Sequence, residues 1–315
     1  MLVFTIRLVG IQAEVLPGMA LRLCIAKETI VSEVEHVLPC RNKLGEGPIW
    51  SEDEQALYWV DILNHTYSRF DPISDKQDTT KVGIAIGVMA FRQAGGLIMA
   101  TKEGFAYWDK AQKKLDYLAR PLGDDPTMRF NDGAVDCKGR FWAGSMGNGP
   151  VGILYRLDPD GSLHEMLHGV SIANGIGWSP DNTIMYFTDT PLKKIFAFDF
   201  DAETGSISHQ RVFVDSTSED GVPDGLAVDS QGYIWSARWD GSRITRYAPN
   251  GGIERVITMP VLRPTSCVFG GRNLDELYIT SAQTEDQDRR NFPLSGDLFR
   301  LKTGIRGLPA YKFGA

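Results

Sequence analysis

Asn174-Gly175-Ile176-Gly177-Trp178-Ser179-Pro180-Asp181 decides the architecture, because its opening pair of a polar residue and a glycine recurs in register along the chain. Glu46-Gly47, Asp132-Gly133 and Asp224-Gly225 repeat it. Each pair leads into a short apolar run, a turn, and a β-rich segment ending in an aromatic residue or an aspartate. Aligned on the pair, units begin near Gly47, Gly87, Gly133, Gly175, Gly225 and Ser266. That spacing, roughly 40 to 50 residues, is the period of propeller blades. Six starts mean six units.

Inside the units the text is β. The runs Ala56–Asp61, Gly96–Ala100, Arg140–Gly144, Ile184–Asp189, Tyr233–Ala237 and Glu276–Ser281 are aromatic and β-branched and of strand length. Further strands are expected at Ile153–Asp158, Ile195–Asp199 and Ile244–Ala248, each followed by a turn pair such as Asp160-Gly161, Thr204-Gly205 or Asn250-Gly251. No segment carries a sustained helical period. The fold class is therefore all-β: a six-bladed β-propeller with four antiparallel strands per blade. Such a ring must close to remove its sheet edges. The alternating segment Ile30–Leu38 is expected to pair with the last strand, near Asp297–Leu301, and to lock the circle. Residues 30–315 are read as this single domain and residues 1–29 as an N-terminal extension, with Met19 an alternative start.

Composition narrows the function. The 33 glycines and 16 prolines imply many turns, and 43% hydrophobic with 23% charged residues is ordinary for a globular chain. A formal charge of -7 argues against a nucleic-acid partner, which needs a basic face. The apolar run Leu2–Ile11 is broken by Arg7 and Gly10 and is too short to span a bilayer, so no membrane partner is expected and a cytoplasmic location is. Cys24, Cys40, Cys137 and Cys267 lack metal-site spacing and read as reduced thiols. His164 and His168 lie in a segment that reads as a strand, not a helical metal site. Oligomeric state is open, with a monomer as the working expectation.

Chemistry follows from the register. In a propeller the innermost strands run along the central channel, so equivalent positions share one height. Glu46, Asn174 and Asp224 then form an inward set of two carboxylates and an amide, which suits a divalent cation. Asn-Gly and Asp-Gly also serve as turn dipeptides, with Gly175 then turning the chain at the channel mouth, but glutamate is a poor turn former. Arg129 and Asn131 flank Phe130 on a strand and point the same way, where they can orient an oxygen-rich ligand. Alternatively, Arg129 pairs with Asp132 or Asp125 at a solvated rim. Ser145 lacks the glycine and helix of a nucleophile elbow and reads as a blade residue. Trp50, Trp178 and Trp235 read as packing between blades, and Trp239 as a pocket wall.

Leu44-Gly45-Glu46-Gly47-Pro48, Arg129-Phe130-Asn131-Asp132-Gly133, Asn174-Gly175 with Trp178-Ser179-Pro180-Asp181, Pro223-Asp224-Gly225 and Pro264-Thr265-Ser266-Cys267 together resemble the SMP-30/gluconolactonase/regucalcin-like family. The likeness runs from about residue 30 to the C-terminus. It implies one divalent metal in the channel, Ca²⁺ first, with Zn²⁺, Mg²⁺, Mn²⁺ or Fe²⁺ also compatible. It also implies hydrolysis of a sugar lactone to its aldonic acid. Carried over, Glu46, Asn174 and Asp224 are the metal ligands, and Arg129 and Asn131 contact the substrate. Asp224 doubles as the catalytic base toward water. Two other readings stand beside it: a non-catalytic calcium-binding regulatory propeller, and a propeller hydrolase of organophosphates or esters, whose pocket would be more apolar. Other members carry an acid shortly after the methionine matching Met146. Here Gly147-Asn148-Gly149-Pro150 carries none, which puts the particular sugar in question.

Overall fold

Each of the six recurrent units folds into a four-stranded antiparallel sheet, and the innermost strands contact one another in a closed ring. The computed structural model describes residues 34–314. The extension over residues 1–29, Cys24 and the beginning of the closing segment lie outside the described residues. Among those described, the sole helical element is a single turn of 3₁₀ helix, Thr190–Leu192, and no helix is long and apolar enough to cross a membrane.

The inner strands of blades 1 to 6 are Gly45–Ser51, Ile86–Phe91, Arg129–Val135, Ala173–Trp178, Val222–Val228 and Pro264–Gly270. All the aligned starts fall on them. The expected closure is present: Glu35–Leu38 pairs antiparallel with Leu298–Lys302 and is the outermost strand of blade 6. Glu35 opposes Arg300 there, and their side chains form an ion pair at 2.8 Å. His164 and His168 sit on the outer strand Leu163–Val170, and Ser145 on the second strand of blade 3.

Blade faces bury only against neighbouring blades, which accounts for the aromatic content of the second strands. Trp50 of blade 1 stacks on Tyr278 of blade 6 at 5.5 Å, Trp178 meets Trp142 across blades 4 and 3 at 6.1 Å, and Trp235 meets Phe269 across blades 5 and 6 at 5.9 Å. Such pairs contribute about 0.5–1.5 kcal/mol beyond the area they bury. In blades 3 and 5 the far end of the inner strand is tied by a buried aspartate. Asp229 accepts from the Gln231 and Tyr233 amides, the Trp235 indole and the Arg246 guanidinium, and Asp136 does the same with Lys138, Arg140 and Trp142.

One segment without repeat character crosses the channel at this far end. Residues 306–314 bond in turn to Ser230 of blade 5, Leu274 of blade 6, Asn182 of blade 4, Asp53 of blade 1, Phe91 of blade 2 and Gly139 of blade 3. Phe313, 3% exposed, plugs the hydrophobic cluster shared by blades 2 and 3. Leu308–Tyr311 cover a cavity of about 180 Å³ lined mainly by apolar side chains of the inner strands. The channel is thus strapped at one end, and the candidate site lies at the other.

Candidate active site

The polar-Gly pair sits at a bulge. In all six blades the pairing of inner and second strands slips near this position, between Glu46 and Ile49 in blade 1, Asn174 and Ile176 in blade 4, and Pro223 and Leu226 in blade 5. A bulge leaves a residue out of the ladder and re-aims its side chain. The turn reading of Asn174-Gly175 is therefore corrected. Gly175 lies within a strand, and a Cβ there would approach Leu226 Cγ to 2.7 Å and the Asp224 carbonyl to 2.8 Å. Glycine is needed because adjacent inner strands come close around the axis.

The bulges leave Glu46, Asp132, Asn174 and Asp224 buried at 5%, 8%, 4% and 3% exposure. Glu46 Oε2 accepts from the Gly47 amide at 3.0 Å, and Asp132 Oδ1 from the Gly133 amide at 2.7 Å. Asp224 Oδ1 has no hydrogen-bond partner among the described residues. A buried acceptor without a donor costs about 1–3 kcal/mol, more when charged, which singles this atom out within the buried set.

Arg129, Asn131 and Asn174 form one continuous chain of hydrogen bonds. Arg129 Nη1 donates to Asn131 Oδ1 at 2.6 Å and to the Phe130 carbonyl at 3.0 Å. Asn131 Nδ2 donates to Asn174 Oδ1 and to the Ala173 carbonyl, each at 2.8 Å. Asn174 Nδ2 donates to Thr190 Oγ1 at 2.8 Å, which donates onward to the Pro223 carbonyl at 2.8 Å. The rim pairing considered for Arg129 is absent: Asp125 accepts from Thr127, and Asp132 from its own neighbour. Phe130, 0% exposed, packs the other way into the core between blades.

Charge here is out of balance. Burial first, and the neighbouring Asp132 carboxylate second, push the Glu46 carboxyl up to about 8. Burial pushes Asp132 up to about 6. Asp224 is held well above the usual carboxylate range by burial, then by Glu46 and Asp132. The guanidinium of Arg129, itself pushed down by burial, offsets Glu46 and Asp224 only in part. Glu46 and Asp224, two buried carboxyls in one set with the Asn174 amide, are donors whose chemistry fits a divalent cation. Among the described residues no trio of His, Cys, Asp and Glu alone is placed to hold a metal.

Sequence reasoning left two residues out of its final set. Asp132 occupies the recurrent position, and its charge raises both Glu46 and Asp224. Thr190 follows the strand-ending Asp189 on the 3₁₀ turn and carries no repeat signal. Trp239 is half-buried beneath the Arg263 guanidinium, 4.8 Å from its ring centre. Asn148, in the loop without an acid, borders a separate groove with Asp125, Thr127 and Met128. His164 and His168 lie against Asp158 and Glu165, and Cys40, Cys137 and Cys267 are free thiols.

Comparison with known proteins places the chain in a family. Regucalcin of Danio rerio is 33% identical over 290 residues, covering 89% of this chain and 98% of the relative. Pentonolactonase XacC of Haloferax volcanii is 35% identical over 289 residues, covering 89% and 97%. The crystal structure of a calcium-binding protein, regucalcin, from Agrobacterium tumefaciens superposes with a TM-score of 0.86 at 27% identity, covering 90% of this chain and 98% of that one. The profile described as SMP-30/Gluconolactonase/LRE-like region matches residues 44–283, and the chain belongs to that family.

Proposed function

We propose that this protein is a lactonase that opens a sugar lactone to its aldonic acid with the help of one divalent cation, Ca²⁺ before the others. The observation that carries the reading is the unpartnered Asp224 Oδ1 in a buried set with Glu46 and Asn174, with the Arg129 charge felt by Glu46 and Asp224. The name of the Haloferax volcanii relative, a pentonolactonase, supports the reaction class.

Glu46, Asn174 and Asp224 would hold the cation. Bound there, it supplies positive charge that polarises a lactone carbonyl. Burial first, then the Glu46 and Asp132 carboxyls, favour the protonated form of Asp224, and a cation held beside it would favour the carboxylate that can take a proton from water. Arg129 donates toward the oxygens of the sugar. Asn131 was expected to contact the substrate as well. Both of its amide protons are engaged by Asn174 and Ala173, so its remaining capacity is one acceptor lone pair on Oδ1. We assign it chiefly to orienting Arg129 and Asn174.

Acid release from a panel of aldonolactones, followed with a pH indicator with and without chelator, tests the proposal. Chelator-sensitive hydrolysis of at least one lactone is expected, and Asp224→Ala should abolish it. That the Agrobacterium tumefaciens relative is described as a calcium-binding protein supports a second reading, a non-catalytic calcium-binding propeller. Calcium binding without hydrolysis of any lactone in the panel would select it.

A further inference from the structure

Thr190 is absent from the recurrent pattern, yet it sits at the junction of the two strands that carry Asn174 and Asp224. It opens the 3₁₀ turn after the second strand of blade 4, with Pro191 next in the turn. That turn is pinned from behind by Asp189, whose carboxylate accepts from the Ser171 and Ile172 amides at 3.0 and 3.2 Å. Thr190 is 9% exposed, so its hydroxyl has little access to solvent as an alternative partner.

The polarity of the hydrogen-bond chain is fixed at its ends. A backbone carbonyl can only accept, so the single hydroxyl proton of Thr190 goes to Pro223. The hydroxyl oxygen must then accept from Asn174, which turns the NH₂ of that amide toward Thr190 and its Oδ1 the other way. At the opposite end a guanidinium can only donate, so Asn131 presents Oδ1 to Arg129 and its NH₂ to Asn174 Oδ1 and the Ala173 carbonyl. One donor-only pole and two acceptor-only poles thereby settle both amide orientations.

We propose that Thr190 is a positioning residue for this site: opposite Asn131, it holds the Asn174 amide with its oxygen aimed as a ligand, and it ties that ligand to the strand carrying Asp224. The inference rests on the metal-site reading given above. Without the hydroxyl, the Asn174 NH₂ loses its acceptor and the amide is held from the Asn131 side alone, so the aim of its oxygen toward the site is relaxed. Partners of this kind, one bond removed from a metal, typically change metal affinity 10- to 100-fold when lost.

The experiment compares Thr190→Val, which keeps the shape and removes the hydroxyl, with Thr190→Ser, which restores it. Chelator-treated proteins are titrated calorimetrically with Ca²⁺ alone and with Mn²⁺ alone, and their fold is checked by circular dichroism. The Val variant is expected to be folded and to bind about 10- to 100-fold more weakly than wild type. The Ser variant should return to within about threefold. Should the Val variant not fold, Thr190→Ala takes its place under the same criterion. A folded Val or Ala variant that binds as tightly as wild type overturns the inference, as does a Ser variant as weak as Val. Wild-type protein that takes up neither ion overturns the metal-site reading itself, a result that no comparison among variants can mimic.

Discussion

Metal-free, this protein should become progressively less stable as pH rises, and the site sets the size of the effect. Glu46 ordinarily titrates at 4.5 and is pushed up to about 8 in the fold, by burial and by Asp132. Between those values the folded state holds a proton that the unfolded chain has lost. Stability therefore falls with pH across this window, by about 1.4 kcal/mol per unit. From about pH 5.5 to about pH 7.5 Glu46 alone removes about 3 kcal/mol, or roughly 5 to 10 °C in melting temperature for a domain of this size. Asp224, also raised, acts in the same direction. The contribution is present in full below 4.5 and lost as pH passes through about 8.

Calorimetric melting of chelator-treated protein at the two pH values, repeated with saturating Ca²⁺, reads this out. Saturation should flatten the slope, because a bound cation keeps the carboxylates ionised in the fold. Glu46→Gln carries no proton to lose, so in the metal-free state it should melt higher than wild type at about pH 7.5 and much the same at about pH 5.5. A metal-free wild type whose melting temperature holds or rises between those pH values, or a Gln variant with an unchanged slope, refutes the argument.

Arg129→Met should lower lactone kcat/KM about 10- to 100-fold, the worth of one or two hydrogen bonds from a charged donor, with Ca²⁺ still bound on titration. Unchanged kcat/KM would remove Arg129 from the substrate side of the site. Asp229→Ala should cost about 3–5 kcal/mol in denaturant unfolding, because the 3%-exposed Arg246 side chain would lose the carboxylate it meets at 2.7 Å. A loss below about 1 kcal/mol would mean that water or Glu254 replaces the partner. Phe313→Ala should cost about 3 kcal/mol and expose the C-terminal strap to proteolysis. Thermal unfolding and limited digestion check this, and an unchanged melting temperature would show that the strap is not part of the core.

What the sequence revealed and what it concealed divide along one physical line. Blades pack against blades, so a packing requirement met in one is met in the others and leaves a periodic mark. The register of Glu46, Asp132, Asn174 and Asp224 is such a mark, and it located both the inner strands and the buried polar set. The same periodicity misled at Gly175. A dipeptide preference is local, whereas the constraint on that glycine comes from Leu226 and the Asp224 carbonyl on the neighbouring blade. Thr190 and residues 306–314 were illegible for the converse reason. Blade 1 has Ile62 where blade 4 has Thr190, each following a strand-ending aspartate, Asp61 or Asp189, that accepts from two amides of the loop before its inner strand. The aspartate is shared by these two blades because it ties the same loop in both. The threonine does not recur, because one amide in one blade needs its orientation fixed. A ring of near-equivalent blades becomes a site only where the equivalence is broken, and in this chain it is broken at Asn174, the amide among carboxyls, and at the hydroxyl that aims it.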